Sequence, residues 1–225
     1  MVVGLAAVAD LAAEVPVAIG DLWIKEYLSD TEIAAVSKAV EVAEAKTSAE
    51  IVPMIVRRST DSTLAGPVSL FIAGTASILS LEYLPLWGFL VSTVVVFLLS
   101  FWLKGYWPWI KWLEGQRLDQ EVFKRAELEF YRQIYGRTKG NTGVLLFISV
   151  FERKVYVLTE KRIAEVHGNE VWASQVQLII SGIKNKKLGQ ALSAAILNCG
   201  EILQKDFPIR ADDQNEIANQ LIIKA

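Results

Sequence analysis

The chain has 225 residues, 52% of them hydrophobic, and a mean hydropathy of +0.33, an apolar surplus beyond what one soluble core of this size needs. A net charge of -2 and a pI near 5.6 exclude the basic face that nucleic-acid binding requires, since such a face works by displacing counterions from phosphates. The single cysteine, Cys199, excludes an internal disulfide, and no CxxC or Cys/His spacing points to zinc.

In chain order, residues 1–28 form an N-terminal extension. Its small apolar residues suit a signal peptide, but there is no basic n-region, and Asp10 and Glu14 interrupt the run, which argues against a cleaved signal. Leu5, Val8, Leu11 and Ala12 recur at helical spacing and predict a short amphipathic helix. Ser29 with Glu32 has the capping-box pattern, and Ile33, Val36 and Val40 then share one face, which predicts a helix over 30–45. "AEIVPMIVR" follows as a strand in which Pro53, lacking an N–H, asks for an edge position or a bulge. Residues 29–61 thus open an α/β domain.

Residues 62–103 predict a transmembrane hairpin. No charged residue occurs from Ser62 to Leu81, nor between Glu82 and Lys104, and each run has the roughly 20 residues a helix needs to cross about 30 Å of hydrocarbon. Gly66, Ala73, Gly74, Ala76 and Ser77 supply the small residues of a close helix contact. Arg57 and Arg58 precede the hairpin, Lys104, Lys111 and Arg117 follow it, and the turn has neither Lys nor Arg. The positive-inside rule then places both ends on the cytoplasmic side. Trp102, Tyr106, Trp107, Trp109 and Trp112 form an aromatic belt at the headgroup layer, completing an expected membrane interface with Arg57, Arg58, Lys104 and Lys111. Pro108 predicts a bend, with residues 104–117 running along the interface before Gly115.

Residues 118–225 resume the α/β domain. Leu118, Val122, Ala126 and Phe130 predict an amphipathic helix leading toward Gly136. "GVLLFISV" predicts a central strand covered on both faces, and "KVYVLT" its hairpin partner, with Glu152 and Arg153 on a solvated turn. Helices are predicted over 170–181 and 188–205, the latter with Leu192, Ile196, Cys199 and Leu203 on one side. Strands enclosed by helices make a layered α/β structure, and no flexible linker separates it from the hairpin.

The inventory for catalysis is thin. His167 is the only histidine and sits in the polar stretch "EVHGNE", which gives it an exposed or capping role; Cys199 falls on an apolar helix face, as inert buried thiols do. Asp212, Asp213, Asn215 and Glu216 form the dense oxygen cluster, the donor type Ca2+ or Mg2+ takes. They lack EF-hand spacing, and a C-terminal helix capped by Asp212 or Asp213, with Glu216 in its first turn, is the favoured reading. Lys184, Lys186 and Lys187 make a basic connector suited to solvent or anionic headgroups.

The opening helix leading into "TSAEIVPMIVRRS", then "NTGVLLFISVFERKVYVLTEKRI", Trp172 and the closing "FPIRADDQNEIANQLI" resemble the TPM domain family over roughly residues 29–222. The apolar hairpin after "EIVPMIVRRS" is similar to that of the family's bacterial membrane branch. The resemblance implies an α/β sandwich, a small central sheet flanked by helices and interrupted by the transmembrane hairpin. It also implies an acidic residue at the position of Glu160, which joins a metal set only if the fold brings it near Asp213. Family members are described as assembly or repair factors of membrane complexes, receptor auxiliaries, and in some cases acid phosphatases or calcium binders. The expectation is a membrane-anchored, non-catalytic accessory, assembly or stabilising subunit of a larger membrane complex. It would touch the bilayer and other membrane-protein subunits of a bacterial-type inner membrane, with its domain on the cytoplasmic side. The alternative is a metal-dependent acid phosphatase using the carboxylate cluster.

Overall fold

The stretch Gly143–Ser149 is buried at every residue, which requires a strand at each edge and a layer on each face. Both are present in the computed structural model, which describes residues 3–7, 21–59, 85–102, 108–209 and 215–224 and the helical positions 71, 74, 75 and 78. The strands are β1 (Val3–Ala7), β2 (Glu50–Val56), β3 (Gly143–Ser149), β4 (Lys154–Thr159) and β5 (Ile222–Lys224). The helices are α1 (Asp30–Glu44), α2 (Leu86–Trp102), α3 (Pro108–Gln133), α4 (Lys161–Val166), α5 (Asn169–Lys184) and α6 (Leu188–Leu203).

The chain divides into two compact units, residues 1–59 with 121–225, and residues 60–120. In the first, the five strands form one mixed sheet in the order β1-β4-β3-β2-β5. β4 is antiparallel to β1 and β3, whereas β2 is parallel to β3 and β5. On one face, Val122, Ala126 and Phe130 of α3, with Ile134 just beyond it, pack against Val52, Met54, Leu145, Phe147 and Tyr156. On the other, α1, α5 and α6 cover Ile51, Ile55, Val144, Leu146 and Val157. The parallel β2–β3 pair needs a crossover connection, and the expected hairpin falls within it. The α/β architecture read from the sequence is therefore present, with "GVLLFISV" central and "KVYVLT" its antiparallel partner.

Pro53 finds its edge locally. Glu50 N–H donates to Thr142 O on the β3 side and Arg57 N–H to Lys224 O on the β5 side, so even residues of β2 face β3 and odd residues face outward. β5 pairs only with Met54–Val56, and outward-facing Pro53 lies before that pairing begins. The N–H of Ile51, the other odd residue beyond the reach of β5, donates 2.8 Å to Glu44 Oε1.

Helix α1 starts where the capping box requires. Ser29 Oγ accepts from the Glu32 N–H at 3.3 Å, and Glu32 Oε2 accepts from the Ser29 N–H at 2.9 Å. Three other expectations are corrected. Residues 3–7 pair with Val155–Thr159 as strand β1 rather than forming a helix, because the free edge of β4 offers them a hydrogen-bond ladder that helical spacing cannot reveal. Pro108 opens α3, which runs unbroken through Gly115, since a proline at the first helical position gives up an N–H that would lack an intrahelical partner anyway. Among the described residues 215–221 there is no helix; the chain ends in β5. Glu152, placed on a solvated turn, is 7% exposed, because its carboxylate accepts the Ser59 N–H at 3.1 Å and the Ser149 hydroxyl at 2.5 Å.

In the second unit, α2 carries no charged residue and has an unusual polarity. Trp87, Leu90, Val91, Val94, Val95 and Leu98 recur on one stripe and are 54–72% exposed, whereas Gly88, Ser92, Thr93, Val96 and Phe97 are half-buried. Of the expected first span only positions 71, 74, 75 and 78 are described, all helical, with Phe71 and Ile78 exposed. Among the described residues no helix is long and apolar enough to cross a membrane. The 17 residues of α2 reach about 25 Å at 1.5 Å per residue.

Candidate functional site

Sheet register decides which carboxylates meet. Glu50 opens β2 opposite Gly143, the first residue of β3, and Glu160 follows β4 with its N–H donating to Gly143 O at 2.9 Å. The side chains of Glu50 and Glu160 are thus set at one end of the sheet, 7% and 3% exposed. Glu160 Oε2 accepts the Gly143 N–H at 2.7 Å and the Thr138 hydroxyl. A Cβ at residue 143 would lie 2.0 Å from Ile134 Cγ2 and 3.1 Å from Glu160 Oε2, so glycine is what lets the strand begin against this carboxylate.

The loop ahead of β3 joins Glu160 to the C-terminal segment. Thr138 bonds Glu160, while the Lys139 N–H donates 2.9 Å to Glu216 Oε2 and Lys139 Nζ stands 3.8 Å from Glu216 Oε1. The Glu216 N–H in turn donates 3.0 Å to Glu50 Oε1. Of the sequence-predicted oxygen set, the fold therefore gathers Glu160 and Glu216 around one loop. Asn215 turns to its own segment and donates 2.5 Å to Asn219 Oδ1; Asp212 and Asp213 lie outside the described residues. Among the described residues no group of three or more His, Cys, Asp or Glu side chains is arranged to hold a metal ion. Glu50 was not singled out from the sequence; its signal was a carboxylate at the start of an otherwise apolar strand, where an ion needs partners from elsewhere in the fold. Chemically, these carboxylates tie the loop ahead of β3 and the C-terminal segment to the sheet end by charge-assisted hydrogen bonds.

A cavity of about 390 Å3 adjoins Glu160 and is also lined by Phe130, Tyr135, Asn141, Lys161 and Arg162. Asn141 adopts a left-handed φ of 50°, a conformation asparagine tolerates better than most residues.

The remaining candidates are dispersed. His167 caps the C-terminus of α4, packs its ring edgewise on Trp172 at 6.0 Å, and places Nε2 3.2 Å from Asp206 Oδ2. It is thus capping, as expected, but largely buried rather than exposed. Cys199 is fully buried, and desolvation pushes its thiol up to about 12. Of the expected membrane-interface residues, Arg57 and Arg58 are half-buried beyond β2, with the Arg58 guanidinium 4.4 Å above the Phe151 ring. Trp102 ends α2, and Trp109, Lys111 and Trp112 lie in the first turns of α3. Lys104, Tyr106 and Trp107 fall outside the described residues.

A mixed sheet between α3 on one face and α1, α5 and α6 on the other, with its acidic loops gathered at one end, defines an α/β sandwich. Residues 115–202 match the TPM domain family model. Its fold is similar to the NMR structure of BA42 protein from the psychrophilic bacterium Bizionia argentinensis, with a TM-score of 0.58 and 22% identity over 90% of this chain and 98% of that one. No curated protein matches the chain.

Proposed function

We propose that this chain is a membrane-anchored TPM-domain protein that acts as an accessory, assembly or stabilising subunit of a larger membrane protein complex. The observation that carries this reading is α2, whose exposed stripe from Trp87 to Leu98 is wholly apolar while the polar Ser92 and Thr93 are half-buried with Gly88, Val96 and Phe97. A helix in water presents the reverse arrangement. An apolar outer face, with Gly88, Ser92 and Thr93 among the half-buried positions, suits a helix that contacts lipid on one side and another helix on the other. At 17 residues, α2 as described is too short to cross a membrane, and its outer face rather than its length supports the reading. Purification of a tagged chain from native membranes in mild detergent tests the reading. The expected result is retention in the membrane fraction after an alkaline wash and co-purification of partner proteins in fixed ratio; a chain released by the wash, or isolated alone, would overturn it.

A further inference from the structure

Glu160 is 3% exposed and lines the cavity beside the sheet end. Its two oxygens are treated differently by the fold. Oε2 accepts both the Gly143 N–H and the Thr138 hydroxyl, whereas Oε1 is shut off from bulk water and has no hydrogen-bond donor. A buried carboxylate oxygen left in that state is costly unless a donor reaches it.

The surroundings define the kind of donor. Phe130 and Tyr135 supply aromatic wall, with Phe130 buried and Tyr135 57% exposed. Asn141 brings an amide oxygen that accepts hydrogen bonds. The lining also holds Glu165, whose Oε1 stands 3.6 Å from Lys161 Nζ and balances that charge, and the Arg162 guanidinium stands 5.5 Å from the Phe207 ring centroid. A divalent ion takes six or more oxygens, and among the described residues no group of three or more His, Cys, Asp or Glu side chains is arranged to hold one. A primary ammonium has three N–H donors and is attracted to aromatic faces. The volume of about 390 Å3 is in the range of small-ligand sites.

We propose that this cavity binds a primary alkylammonium group, its N–H donating to Glu160 Oε1 and its alkyl stem lying against Phe130 and Tyr135. The group is either a free amine or a lysine side chain presented by a partner. The inference stands apart from the membrane reading, because it concerns only residues of the α/β unit and is tested by direct binding.

The test is titration of the full chain in mild detergent, following the backbone amide resonance of Gly143, with n-butylammonium chloride and with N-acetyl-lysine N-methylamide. Saturable shifts with either probe are expected. Tighter binding of the lysine derivative assigns the site to a partner's side chain, and binding of n-butylammonium alone assigns it to a free amine. Glu160→Gln, which turns an amide donor or a weaker acceptor toward the ammonium, is expected to weaken binding at least 10-fold. Tyr135→Ala, at an exposed position that leaves the core intact, is expected to weaken it several-fold. Tetramethylammonium chloride, which has the charge without N–H donors, is expected to leave Gly143 unmoved. The proposal is overturned if neither amine saturates, if folded Glu160→Gln binds as wild type does, if tetramethylammonium binds equally, or if only calcium chloride shifts Gly143.

Discussion

Burial raises the Cys199 thiol from an ordinary 9.0 to about 12, and the sign of its effect on stability follows. The neutral thiol is favoured in the fold, so its contribution is fully present below pH 9 and is lost as pH rises toward 12. At pH 10 the unfolded chain has begun to gain by ionising, by about 1.4 kcal/mol for one unit. Denaturant unfolding of wild type and Cys199→Ala at pH 7.5 and pH 10 should therefore show wild type losing about 1 kcal/mol more than the variant over that interval. Equal losses would mean that the thiol is solvated. The core role of Cys199 was legible from its helical neighbours Ile196 and Leu203. The meeting of Glu50, Glu160 and Glu216 was not, because residue type is local information and the contact depends on sheet register. Glu152 was misread for the same reason: its donor, the Ser59 N–H, comes from the far side of the crossover.

Among the elements, α1 was the most legible, since its capping box and apolar face lie within one short window. The terminal strands β1 and β5 were the least, since short strands owe their existence to the edge they join. Helix packing offers a sharper test. A Cβ on Gly200 of α6 would lie 2.8 Å from Ala43 Cβ and 2.9 Å from Ala43 Cα on α1. In an isolated helix Gly→Ala gains about 1 kcal/mol, whereas forced overpacking costs about 1–3 kcal/mol. Because the opposing atoms include the α1 backbone, which cannot swing aside, the clash wins. Gly200→Ala should lower the thermal midpoint by several degrees. An unchanged or raised midpoint would show that α1 and α6 can separate without cost.

At the scale of the molecule, the 60–120 unit interrupts a connection that the parallel β2–β3 pair needs in any case. Closing a loop costs only about 0.6 kcal/mol for each doubling of its length, so a long insertion there is thermodynamically mild. Replacing residues 60–107 with a Gly/Ser linker of about 15 residues, long enough for a crossover, should leave a cooperatively folding α/β unit that no longer sediments with membranes. A linker variant that fails to fold, or still sediments, would contradict that separation of roles. The α/β layers could be read from the sequence because strand and helix periods differ. The outward polarity of α2 could not, since an evenly apolar run does not say which side is covered. The outer margin of β2 has one further consequence, for self-association. Over the half that β5 leaves uncovered, Pro53 has no N–H to offer and Glu44 already holds that of Ile51. A stray strand arriving there finds no donors to copy, and sheet-to-sheet aggregation is blocked at that margin by the backbone itself.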